Sequence, residues 1–187
     1  MHNLKGAIIG HVGPMFGGKT SALLTDVRKM RIAGYKVALF KPAMDNRYAE
    51  EKVVNHNGES IKAININSFD DIVDYVFENE DVQVIAIDEI QFLKVNKVSL
   101  TSFIFRMIED EKTVIFAGLD LDSEMDPFYN VKELMPYCTH LEKHRAVCVK
   151  CGAEATTSYC TIEKSTTELI GGKDIYEPRC LRCYFSI

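Results

Sequence analysis

GAIIGHVGPMFGGKTSALLTDV, residues 6–27, joins an apolar β-branched run, a glycine-rich turn and the start of a helical pattern. Within it Gly13, Pro14, Met15, Phe16, Gly17, Gly18, Lys19 and Thr20 satisfy G-x-x-x-x-G-K-[ST], in the strand-to-helix context that this motif needs. The glycines let backbone N–H groups close around phosphate oxygens, and the helix N-terminus adds partial positive charge. In such a loop Lys19 reaches the β- and γ-phosphates of ATP, and Thr20 offers its hydroxyl to Mg²⁺. A plain glycine-rich turn could carry the same letters, but the flanking strand and helix favour a nucleotide site built from all eight residues.

Outward from this loop, short β-branched runs alternate with helical patterns. Strands are expected at residues 6–11, 36–41, 60–66, 82–87 and 113–118. Helices are expected at residues 21–33, 69–79 behind an N-cap at Ser68, about 98–111, and briefly at 131–134. That alternation predicts an α/β fold, a P-loop (RecA-like) parallel sheet flanked by helices. Residues 41–58 lack periodicity and read as a loop near the strand ends, where the ligands of such sheets bind.

The run VIAIDEIQF, residues 84–92, supplies a second chemical element. Its continuous apolar start fits a strand buried on both faces. Asp88, at the end of that strand, can address Mg²⁺ together with Thr20. Glu89 then lies beside the phosphates without a required metal role, free to accept a proton from an attacking hydroxyl or water. An acidic turn is the plainer alternative; the upstream P-loop favours the catalytic one.

The chain has 187 residues, 47% of them apolar and 26% charged, with 22 basic against 27 acidic side chains for a net charge of −5. Residues 1–146 carry 17 Lys and Arg against 22 Asp and Glu, while residues 147–187 carry five of each. Neither part has the basic excess that gripping a nucleic acid polymer demands. No run approaches the roughly 18 apolar residues of a membrane helix, and the start lacks a signal peptide's apolar run. The expectation is a soluble cytoplasmic protein without membrane or nucleic acid partners.

Four of the six cysteines form two close pairs, Cys148 with Cys151 and Cys180 with Cys183, separated by 28 residues. In a cytoplasmic chain such pairs suit structural zinc, because four thiolates close a tetrahedral site. The spacer exceeds the about 15–20 residues of common zinc ribbons, so an additional segment is looped out between the knuckles. The chain therefore divides into a P-loop α/β nucleotide-binding domain, 1–146, and a small zinc domain, 147–187. Cys138 and Cys160 read as small apolar side chains rather than ligands.

These residues do not say what receives the phosphoryl group. A RecA-like nucleotide hydrolase, with Glu89 activating water, remains open. So does a zinc-ribbon binding module that uses its P-loop as a switch.

Taken in order, GPMFGGKT, KPAMDNRY, IDEIQF, GLDLD, AVCVKCG, IGGKDIY and CLRCYF resemble the motifs of the zinc-containing (type II) thymidine kinases of cells, bacteria and some large viruses, across essentially the whole chain. The resemblance implies a homotetramer that moves the γ-phosphoryl of Mg-ATP to the 5′-hydroxyl of deoxythymidine or deoxyuridine, in pyrimidine salvage, with dTTP as feedback inhibitor. It also implies that the 28-residue spacer is a lasso over the nucleoside. By position, Glu89 resembles the family's catalytic base and Arg47 its phosphate-side arginine. Met15, Phe92, Leu119 and Phe128 resemble the wall of its nucleoside pocket. Leu169, Ile170, Gly171 and Gly172 fall where lasso backbone groups address the pyrimidine, and Tyr176 where a tyrosine lies near the sugar. Ser158 stands where the family commonly has a threonine.

Two segments depart from the pattern. Ser123, Glu124 and Met125 replace a segment that often holds an aromatic and Arg-Gly, and Lys143-His144-Arg145 replaces the usual Lys-Leu-Thr. Both bear on pocket shape and nucleoside preference rather than on the phosphate machinery.

Overall fold

The computed structural model describes residues 5–43, 52–54, 58, 60–96, 99–162 and 175–186. Its centre is a six-stranded sheet built from β1 (Ile8–Val12), β2 (Val37–Pro42), β5 (Ile64–Ile66), β6 (Val84–Ile87), β7 (Thr113–Gly118) and β8 (His140–Lys143). The order across the sheet is β5-β2-β6-β7-β1-β8. Every neighbouring pair is parallel, so all six strands end on one edge.

Period-two alternation divides the core between the two faces. Ile8, Val12, Ala38, Phe40, Ile85, Ile87, Val114 and Phe116 face one layer, where they meet Phe69, Ile72 and Val76 of α2 (Phe69–Glu78) and Phe103, Ile104 and Met107 of α3 (Leu100–Glu109). Val131 and Leu134 of α4 (Tyr129–Leu134) complete that layer. Ile9, Leu39, Val84, Ala86, Ile115 and Ala117 face the other, against Leu23, Leu24, Val27 and Met30 of α1 (Lys19–Ile32). Strands covered on both sides read as unbroken apolar runs, which is why β6 and β7 stand out in the sequence. The helix starts also follow local chemistry. The Asp71 carboxylate accepts the Ser68 N–H at 3.2 Å, and Ser99 accepts the Ser102 N–H at 3.1 Å.

Two features differ from expectation. Residues 60–66 do not form one strand. They divide at buried Ala63 into β4 (Ser60–Lys62), antiparallel to β3 (Lys52–Val54), and β5, parallel to β2. The chain there leaves a hairpin and enters the sheet, and alternation alone cannot mark such a handover. The sequence pattern also does not announce β8, an edge strand whose four side chains are all exposed.

The cysteine-framed segment is built from smaller pieces. β9 (Ala146–Val147) pairs antiparallel with β10 (Glu154–Ala155), and β11 (Thr157–Cys160) with β12 (Tyr176–Arg179). α5 (Leu181–Phe185) follows. No helix among the described residues is long and apolar enough to cross a membrane.

Candidate active site and zinc centre

Three sheet ends converge because β6, β7 and β1 are neighbours. The P-loop leaves β1, Asp88 and Glu89 leave β6, and Leu119 and Asp120 leave β7, in the crevice where open α/β sheets bind ligands.

The P-loop turns tightly against the segment after β8. Gly13 has φ +134°, and a Cβ there would lie 2.5 Å from the His144 carbonyl oxygen, so only glycine fits. Phe16 holds the left-handed region at φ 64°. Its side chain packs on Ala146, Cys148 and Ala155, which ties the phosphate loop to the cysteine segment. Ser158 adds a second tie, its hydroxyl accepting the Met15 N–H at 2.9 Å.

Lys19 is buried and donates to the Pro14 carbonyl at 2.7 Å. Burial lowers its pKa, while the nearby carboxylates of Glu89, Asp88 and Asp120 work in the opposite direction. Thr20 Oγ1 donates to Asp88 at 3.1 Å. Burial, and then the charge of Glu89, push the Asp88 carboxyl up to about 8 against the Thr20 hydrogen bond. Two adjacent carboxyls, one of them buried, with a hydroxyl on the same spot, fit a divalent cation, whose charge relieves their repulsion.

Glu89 is the second strained residue, with φ 47° and ψ 43° directly after β6. A left-handed conformation is costly for a side chain with a Cβ and collects at functional positions. Gln91 Nε2 donates to Glu89 at 2.5 Å, and Gln91 Oε1 accepts the Leu119 N–H at 3.1 Å. The buried amide thus clips Glu89 to the end of β7. Gly118 leaves room for it: a Cβ there would lie 2.8 Å from Gln91 Oε1. Sequence reasoning missed both residues. The available signal was a single amide inside the apolar IDEIQFL.

Phe92 and Phe128 meet edge to face with centroids 6.4 Å apart, both half-buried beside this clip. Tyr176 opens β12 opposite Cys160. The altered turn at Ser123 gives its carbonyl to the Tyr184 hydroxyl at 2.7 Å. Arg47, Leu169, Ile170, Gly171 and Gly172 lie outside the described residues.

Cys148, Cys151, Cys180 and Cys183 come together, their Sγ atoms all within 4.8 Å of one another. The Cys151–Cys180 separation of 3.7 Å matches the roughly 3.8 Å that Zn–S bonds of about 2.3 Å give in a tetrahedron. Burial opposes ionisation of Cys148, but hydrogen bonds from the backbone of Cys180, Lys150 and Cys151 bring its thiol down to about 6. The set fits zinc. Cys138 and Cys160 stand apart from it, both half-buried.

The model of one protein family, thymidine kinase, matches residues 6–184. The match runs from β1 through the P-loop and the carboxylate pair to the last cysteine, so it takes in every described element of both centres. The chain belongs to the thymidine kinase family, whose members are phosphotransferases.

Proposed function

We propose that the chain transfers the γ-phosphoryl of ATP in line to the 5′-hydroxyl of deoxythymidine or deoxyuridine, with Glu89 as the base. The observation that carries this reading is the clip on Glu89: its carboxylate is held by Gln91 beside the P-loop, while Asp88 alone engages Thr20. A carboxylate so placed can orient the acceptor hydroxyl and take its proton. Lys19 and the P-loop amides from Phe16 to Thr20 hold the phosphates and absorb charge as the bond to the leaving group lengthens. Arg47 is assigned to the phosphate side as well. Thr20 and Asp88 would hold Mg²⁺, which neutralises charge on the phosphate oxygens when bound.

Met15, Phe92, Leu119, Phe128 and Ser158 form the proposed nucleoside wall, with Leu169, Ile170, Gly171, Gly172 and Tyr176 of the lasso above it. Zinc on Cys148, Cys151, Cys180 and Cys183 would anchor the lasso at both ends. Residues 1–146 form the proposed nucleotide domain and 147–187 the zinc domain. A cytoplasmic homotetramer inhibited by dTTP, acting in pyrimidine salvage, completes the proposal.

ATP turnover with and without thymidine tests it. The expected result is thymidine 5′-monophosphate formed one for one with ADP, and little ADP without nucleoside. A hydrolase would release ADP equally fast in both.

A further inference from the structure

His11 lies on β1, two residues before the P-loop, and is 3% exposed. The parallel register sets it opposite Glu142 of β8, and His144 follows two residues later on the same face. Side chains from β1, from β8 and from the segment just after β8 therefore converge. His11 Nδ1 lies 3.1 Å from His144 Nε2 and 3.6 Å from Glu142 Oε2, and the His144–Glu142 separation is 3.7 Å.

Asp26 of α1 fixes the chemistry of that triangle. Its carboxylate lies 3.1 Å from His11 Nε2 and is also paired with Lys29. An ionised carboxylate only accepts, so Nε2 donates to Asp26 and Nδ1 is the ring atom that faces Glu142 and His144. Carboxylate-oriented histidine is the usual support of a metal-binding imidazole. The three edges bracket the about 3.3 Å between ligands on a tetrahedral ion with bonds of about 2.0–2.1 Å.

We propose that His11, Glu142 and His144 bind a divalent transition ion of the zinc type, with Asp26 as the positioning residue. The site is separate from the four cysteines. Glu142 is 53% exposed and opens the site to solvent. Three protein ligands leave a fourth position for water, so the ion should exchange more readily than one enclosed by four thiolates. It would tie the strand that enters the P-loop to the strand that leads into the cysteine segment.

Equilibrium dialysis of the full chain against zinc chloride, without nucleotide, followed by metal analysis, tests the site independently of the kinase reading. Wild type should hold one zinc per chain more than His144→Leu and one more than Glu142→Gln, and a brief chelator wash should remove that extra ion first. Added zinc should raise the wild-type melting temperature more than that of either variant. Glu142→Gln changes an exposed side chain and carries the test if His144→Leu does not fold. Equal zinc content in wild type and Glu142→Gln, at equal affinity, would overturn the proposal and leave a hydrogen-bonded histidine pair.

Discussion

Against one face of the sheet, Phe103 of α3 is 1% exposed and packs on Phe69 of α2 at 5.9 Å, inside a layer that draws on three helices and five strands. In the cysteine segment the corresponding apolar cluster is Ala146, Cys148 and Ala155, with Phe16 borrowed from the P-loop. The first region can fold on apolar burial, which scales with the area removed from water. Among the described residues the second buries far less, and its four thiols gathered at one point are its expected source of stability when metal is bound. On the proposed reading, phosphate transfer and most of the nucleoside wall rest on the sheet, and the lasso rests on a metal-dependent unit.

The largest expected effect comes from removing a thiolate. Cys180→Ser should release the tightly held zinc and weaken thymidine binding strongly, since structural zinc contributes about 10–16 kcal/mol to folding of such units. The sheet should still melt cooperatively and still bind ATP. Metal analysis, calorimetry and nucleotide binding on one sample check this, and loss of the sheet's transition would erase the contrast.

Phe103→Ala is the converse test. Emptying that site should cost the sheet about 3–5 kcal/mol, with zinc content unchanged. Chemical denaturation alongside metal analysis decides it. Zinc lost in parallel would mean that the two regions fold as one.

Gly118→Ala should act more gently. The new methyl group would press on Gln91 Oε1, release Glu89 from its clip and lower kcat by about tenfold, equivalent to about 1.4 kcal/mol. KM for ATP should hardly move, because the P-loop is untouched. A raised KM with unchanged kcat would show that the clip shapes binding instead.

How far these regions were legible in the sequence follows from the same contrast. Buried strands such as Val84–Ile87 write themselves as apolar runs, and the P-loop glycines are demanded by backbone geometry, so the sheet and the turn that leaves β1 could be read directly. The cysteine spacing likewise marked the four thiols that come together. β8 was illegible because an exposed edge strand has no apolar alternation, and with it went the register that sets His11 beside Glu142. Gln91 was missed because its partners are Glu89 and the distant Leu119 N–H, contacts that exist only after β6 and β7 lie side by side. The Ser158 hydroxyl looked like a nucleoside contact, yet it also accepts the Met15 N–H, a link between regions that spacing cannot show.

The smallest predicted effect belongs to Cys138, packed at the margin of the sheet's core. Burial pushes its thiol up to about 11 from an ordinary 9.0. A raised folded-state pKa means that its contribution to stability is complete below the unfolded value and is lost as pH rises through the folded one. Melting temperature should therefore fall slightly more steeply between about pH 9 and pH 11 in wild type than in Cys138→Ala. Parallel curves would remove the thiol from the sheet's pH dependence.

In the proposed reaction Glu89 performs the proton transfer on a phosphate platform supplied by the rest of the sheet. Single-turnover phosphorylation of thymidine by Glu89→Gln, with ATP and thymidine affinities measured on the same preparation, tests it most directly. Wild-type affinities and a rate lowered by roughly 10²- to 10⁴-fold are expected. A near-normal rate in that variant would contradict it.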